Sequence, residues 1–184
     1  MIHSPLWGGL GRGDQLKILI LICALFLSLP SVYAETLKEY NDHGLTYLKQ
    51  NNFTAAITEF TKAIEADPKD AIAYYVRGAI YYNQGNFIQA ISDFSQAIAI
   101  NPKVAKGYMS RALTYLRANN ANEAIADLTK VVEINPNYAR AYFNRAVGYY
   151  QLKQYDKAWA DVRKAQNLGV TVNPDFIEAL KKAK

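Results

Sequence analysis

The sequence predicts an all-α solenoid of four helix-turn-helix repeats, followed by a short C-terminal capping helix. Two observations support this fold class. The 184-residue chain repeats itself every 34 residues, so that residues of one type recur in register. Within each repeat the apolar residues lie three, four or seven positions apart, which is the spacing of one face of a helix. A fixed period of this size indicates units that bury their apolar faces only by stacking on one another.

Five columns of residues define the repeat. Two columns are tyrosine throughout: Tyr40, Tyr74, Tyr108 and Tyr142, and then Tyr47, Tyr81, Tyr115 and Tyr149. Two more hold only small residues: Gly44, Gly78, Ala112 and Ala146, and then Ala56, Ala90, Ala124 and Ala158. Proline closes the first three units at Pro68, Pro102 and Pro136. The repeated part, 35–172, therefore divides into units at 37–70, 71–104, 105–138 and 139–172.

The second unit shows how each repeat forms two helices. The first helix has its core face at Tyr74, Gly78 and Tyr81, and the second has its own at Ala90, Phe94 and Ala97. Gly85 separates the two helices, and Pro102 ends the unit. Gly78 and Ala90 are expected to lie opposite each other, where small side chains permit a close approach.

Charged residues follow the same period. Three arginines each precede an aspartate by sixteen residues, in the pairs Arg77 and Asp93, Arg111 and Asp127, and Arg145 and Asp161. The first unit has His43 and Glu59 at these positions. This pattern predicts a ladder of ion pairs between first and second helices rather than a row of free cations for a phosphate ligand.

These columns resemble the tetratricopeptide repeat family over 37–172. Tyrosine replaces the family's usual tryptophan, and alanine replaces glycine at 112 and 146. The resemblance implies a right-handed superhelix whose first helices line a concave inner face, where partner peptides or helices lie. Many members of the family hold a terminal carboxylate there. Of the residues at the corresponding places only Lys106 suits that task, so recognition of such a carboxylate is not expected.

A capping helix is predicted at 173–184. Asn173 is an N-cap residue and Pro174 suits the first turn of a helix. Phe176 and Leu180 then contribute to one apolar face. Such a helix covers the last repeat of a solenoid, which would otherwise expose its core.

A second stripe on the first helices exceeds what folding requires, and it is the predicted partner-binding surface. Its large apolar residues are Tyr75, Tyr82, Met109, Leu116, Phe143 and Tyr150, and its cations are Lys106, Arg117 and Arg140. Exposed aromatics of this kind are typical anchors of interfaces. The expected partner is an extended or helical peptide of another protein, apolar with acidic character. The competing interpretation is that part of the stripe packs between neighbouring helices as core.

The first 34 residues have the three-part layout of a secretory signal peptide. Arg12 and Lys17 precede the uncharged run at 18–29, Pro30 breaks that run, and a cut is expected after Ala34. A spanning helix needs about 20 apolar residues, and this run has only 12. The sequence thus predicts export, to the periplasm in a Gram-negative bacterium and otherwise by secretion. The alternative is an uncleaved leader, which would tether a complex-assembly factor to the membrane.

Catalysis and cofactor chemistry find no support in the residue inventory. The single cysteine, Cys23, lies in the leader, and His43 is the only histidine after cleavage. No cluster has metal-ligand spacing and no nucleophile has a plausible base, so the expectation is a non-enzymatic scaffold with no metal and no cofactor. The net charge of +5 is small for a phosphate-driven mode, so no nucleic acid is expected. The first repeat lacks room for an amino-terminal lid, which makes pairing of two copies there a further expectation.

Overall fold

The computed structural model describes residues 36–183, and within that range every regular element is an α-helix. The helices are α1 (36–49), α2 (Phe53–Ala66), α3 (Ala71–Asn83), α4 (Phe87–Ile100), α5 (Ala105–Arg117), α6 (Ala121–Ile134), α7 (Ala139–Gln151), α8 (Tyr155–Asn167) and α9 (Pro174–Lys182). From α2 to α8, each helix packs chiefly on its neighbours in the chain. The predicted all-α helical-repeat fold is therefore confirmed. The predicted leader, 1–34, lies outside the described residues.

Local sequence explains where α3 and α9 begin and how the pairs turn. The Asp70 side chain accepts hydrogen bonds from the backbone N–H groups of Ile72 and Ala73, and Asn173 caps α9 in the same way. Between the two helices of each repeat one residue has a left-handed backbone: Asn51, Gly85, Asn119 and Lys153, with φ between 57° and 77°. Glycine and asparagine adopt this conformation at the lowest cost, and they hold three of the four positions. The four residues are 34 apart, so the turn recurs with the period of the repeat.

No helix among residues 36–183 is both long enough and apolar enough to span a membrane.

The predicted ion-pair ladder is confirmed, and it reaches farther than the sequence indicated. Nε and Nη2 of Arg111 donate to the two carboxylate oxygens of Asp127, each over 2.8 Å. Its remaining nitrogen, Nη1, donates over 2.8 Å to the Ser95 hydroxyl on the second helix of the preceding repeat. Arg77 and Arg145 make the same three hydrogen bonds, with Thr61 and Thr129 as the preceding hydroxyls.

Hydrogen bonding to the aspartate raises the pKa of each arginine above its ordinary value, so the guanidinium stays charged. Each aspartate is buried and accepts two charge-assisted hydrogen bonds. In the first repeat, His43 Nδ1 lies 3.8 Å from Glu59, as predicted.

The space beside Gly78 is limited by two residues of the second helix. A Cβ atom placed on Gly78 would lie 3.1 Å from side-chain atoms of both Asp93 and Phe94. The glycine makes room for the phenyl ring of Phe94, which lies one turn after Ala90 on the second helix. The expected approach of Ala90 itself stays a prediction.

The same position in the other repeats shows a matched change of size. Gly44 faces Phe60 as Gly78 faces Phe94. In the third and fourth repeats the glycine becomes alanine, and the phenylalanine becomes Leu128 and Val162. All of these side chains are fully or almost fully buried. Small and large residues are therefore exchanged together, as close packing at this contact requires.

We expect Gly78→Ala and Phe94→Leu to compensate each other. Alanine at 78 presses on the ring and should lower the free energy of unfolding by about 1 kcal/mol, because overpacking outweighs the gain in helix propensity. Leucine at 94 should cost about 1 kcal/mol through the void it leaves. The double variant restores the alanine–leucine pair of the third repeat, so urea unfolding should show favourable coupling of about 1 kcal/mol. Strictly additive losses would contradict the packing described here.

Candidate functional site

The inner face of α3 carries two aromatic residues, Tyr75 and Tyr82, placed two helical turns apart. The Tyr75 hydroxyl shares a 3.0 Å hydrogen bond with the Ser110 hydroxyl on α5. The ammonium group of Lys106 lies 4.8 Å from the centroid of the Tyr75 ring. Tyr75 therefore has a fixed orientation between the first helices of repeats two and three.

Three cavities follow one another along α3 and α5. The first, of about 380 Å³, is lined by Ile72, Tyr75, Val104 and Lys106, among others. The second, of about 210 Å³, lies against Tyr75, Ala79, Tyr82, Ser110 and Leu113. The third, of about 190 Å³, lies against Tyr82, Phe87 and Arg117. Consecutive cavities share Tyr75 and then Tyr82, so we treat the three as one feature and name it the repeat 2–3 groove.

The groove is apolar in the middle and positively charged towards its ends. Its lining includes Lys106 in the first cavity and Arg117 in the third, and no aspartate or glutamate. Both cations are exposed, and neither has a carboxylate partner within 4.0 Å in the described part of the chain. Eleven residues separate them on α5, which at 1.5 Å per residue is about 16 Å.

Sequence reasoning missed two residues of this groove. Ile72 and Val104, which are 69% and 49% exposed, line the mouth of the first cavity. A signal was present, because the position of Ile72 is a cation in the other three repeats: Lys38, Lys106 and Arg140. An isoleucine in that exposed column has no role in the core.

The rest of the predicted stripe is not open in the same way. Met109 is only 7% exposed and packs in a core cluster with Ala112, Leu128 and Ala141, and Leu116 packs against that cluster. For Met109 the structure supports the competing interpretation, interhelical core. Arg140 is exposed on α7 but lines none of the three cavities.

The last two aromatics of the stripe, Phe143 and Tyr150, are covered by the capping helix. The Phe176 ring lies 5.6 Å from the Phe143 ring and 5.4 Å from the Tyr150 ring, both edge to face. Leu180, one turn on, is fully buried in the same cluster. The structure thus brings Tyr75, Tyr82, Lys106 and Arg117 together in an open groove and closes the stripe at the fourth repeat. Partner binding by any of these residues stays a prediction.

Within 36–183 no three His, Cys, Asp or Glu side chains are grouped so that they could hold a metal ion.

A profile of the tetratricopeptide repeat matches residues 41–105 and 109–168, well over half of the chain. The chain belongs to the tetratricopeptide repeat family. This repeat architecture is that of protein-interaction modules, and the helix pairs described above are its units.

Solved structures agree on the fold. A crystal structure of MamA superposes with a TM-score of 0.69 at 23% identity, covering 86% of this chain and 95% of that one. MamA from Desulfovibrio magneticus gives 0.70 at 21% identity, covering 73% and 76%. The first tetratricopeptide domain of Spaghetti (RPAP3), bound to an HSP90 peptide, gives 0.61 at 27% identity, covering 64% and 94%. No curated protein sequence matches the chain significantly.

Truncation of Phe176 should destabilise the protein more than truncation of Tyr82, because Phe176 covers the closed part of the stripe and Tyr82 lies at the open groove. Phe176→Ala deletes both ring contacts that hold α9 on α7, so it should lower the free energy of unfolding by about 2 to 3 kcal/mol. Tyr82→Ala, at the open groove, should cost less than about 1 kcal/mol. Urea denaturation followed by circular dichroism measures both. Equal losses would mean that Tyr82 belongs to the core as much as Phe176 does.

Proposed function

We propose that this protein is an exported, non-enzymatic adaptor that binds a peptide or helix of a partner protein in its repeat 2–3 groove. The observation that carries the proposal is the line of three cavities, whose walls combine two rigid aromatics with an exposed cation towards each end. A soluble protein rarely leaves a connected apolar surface of this kind open unless it binds something.

The family supports a protein partner as a class. One solved relative in the fold comparison, the first tetratricopeptide domain of Spaghetti (RPAP3), is bound to the HSP90 peptide SRMEEVD. That peptide is acidic, as the free cations of the present groove favour. For this chain we infer a partner segment that is apolar with acidic character.

The chemistry of the groove walls supports a binding role over a catalytic one. The cavity linings contain no His, Cys, Asp or Glu that could serve as a general base. Their one serine, Ser110, is engaged by Tyr75 and has no base beside it. Chemistry in the groove would therefore lack both an activated nucleophile and a proton acceptor.

Replacing Tyr82 with alanine should strongly reduce partner capture while leaving the fold intact. We expect roughly tenfold less partner to co-purify with Tyr82→Ala from the native cell envelope, because truncating an aromatic anchor removes much of the binding energy. The matched control is Ile88→Ala on α4, a residue that is 82% exposed and lines no groove cavity. Quantitative mass spectrometry after affinity purification compares them. Undiminished capture by Tyr82→Ala, with unchanged melting, would place the binding site elsewhere.

Export is tested at the amino terminus of the protein isolated from its native cells. If the leader is cleaved after Ala34, Edman sequencing should read Glu35 first, and the protein should be found in the periplasm or the medium. An intact leader in the membrane fraction would instead favour the tethered assembly factor. Recovery of the full chain in the cytosol would overturn export in both forms.

A further inference from the structure

The capping helix shows what kind of group an aromatic pair on the inner stripe accepts. Phe143 and Tyr150 lie two turns apart on α7, and the Phe176 ring of α9 packs against both. Leu180 follows one turn later and is buried among small residues and valine. An amphipathic helix that offers a phenyl ring is therefore the occupant that this chain itself places on such a pair.

The same pair of aromatics recurs two repeats earlier, where the Tyr75 ring lies 5.6 Å from the Phe94 ring of its own repeat and a cavity stays open beside the pair. Tyr75 and Tyr82 hold the positions in α3 that Phe143 and Tyr150 hold in α7. The space between them is the second cavity of the groove, about 210 Å³ in volume. An apolar cavity of about 150 Å³ is enough to admit a benzene ring. The second repeat thus offers an open cavity beside an aromatic pair of the same kind, bordered by Ser110 and Leu113 of α5.

Charge then limits which helix can enter. Lys106 and Arg117 flank the open pair and lack carboxylate partners in the described residues, whereas the lining holds no acidic side chain. A helix running along α5 would meet the two cations about 16 Å apart, or roughly eleven residues along its own axis. Carboxylates at that spacing would be attracted and ammonium groups repelled.

We propose that the groove binds an amphipathic helix of a partner protein, with one phenylalanine-like side chain between Tyr75 and Tyr82 and carboxylates at Lys106 and Arg117. This inference rests on the function proposed above and adds the conformation and residue pattern of the ligand. The aromatic residue lies between the two acidic residues of that helix. The partner is a different protein, because α9 of this chain is already buried against its own fourth repeat.

A selection from a random-peptide display library on the immobilised full chain tests the pattern without assuming a partner. We expect enrichment of helix-forming peptides that combine one aromatic residue with acidic residues on both sides, and loss of this enrichment on Tyr82→Ala. Peptides of another pattern that still require Tyr82 would overturn this inference while leaving the proposed function intact. If no enriched peptide depends on Tyr82, both fail.

A charge-reversal experiment tests the two cations directly. The probes are two synthetic alanine-rich helical peptides with either glutamates or lysines eleven residues apart. One phenylalanine follows the first of these by four residues, so that all three side chains lie on one face. The native chain should bind the glutamate peptide at least about tenfold more tightly in fluorescence anisotropy, and added salt should reduce the difference. The double variant Lys106→Glu with Arg117→Glu should reverse this preference.

The matched control carries Lys153→Glu with Arg163→Glu, two exposed cations outside the groove and the same change in net charge. It should keep the native preference for the glutamate peptide. If the control shifts the preference as far as the groove variant does, the attraction reflects net charge alone and the assignment of the two cations is wrong. Equal binding of both peptides by the native chain would also overturn it.

Discussion

Each repeat from the second onward is fastened to the preceding repeat by an arginine that binds in two directions. Arg111 holds Asp127 of its own repeat with two nitrogens and Ser95 of the preceding repeat with the third. Because the guanidinium is planar and rigid, these bonds fix the angle between successive helix pairs as well as their contact. Loss of the arginine would leave a buried carboxylate without these two donors, which is costly. The alignment of the first helices, and hence the groove, depends on this geometry.

The periodic features of the fold were predictable because they are local. Helical spacing, proline stops, the arginine–aspartate register and the N-cap at Asn173 all depend on short stretches of sequence, and the structure has them where they were expected. The contact of Gly78 with Phe94 was not predicted. The sequence contains the paired exchange of glycine and phenylalanine for alanine and leucine, but the contact of Gly78 with Phe94 depends on the relative axial offset of two packed helices.

The groove was predictable in its position and not in its extent. Periodicity assigns the same role to Tyr75, Met109 and Phe143, which share one place in the repeat, yet these residues have three different environments. Tyr75 lines an open cavity, Met109 is core, and Phe143 lies under α9. The difference arises from neighbours far along the chain, above all from a capping helix whose docking no repeat column encodes. Ile72 was not predicted for a related reason. Its column holds cations in the other three repeats, and the information lay in its departure from them.

The division of the stripe also determines how the groove can bind. Because the fourth repeat is covered by α9, the repeat 2–3 groove contacts only a short segment of a partner. The area buried on binding is then small, so affinity depends on groove side chains that are ordered before the partner binds. Tyr75 provides such order, since its hydroxyl is bound to Ser110 and its ring lies beside Lys106 before any ligand arrives. A side chain that is already fixed loses little conformational entropy on binding. A cation held against an aromatic face is likewise positioned for an incoming carboxylate, which joins the apolar and the electrostatic parts of recognition at one residue pair.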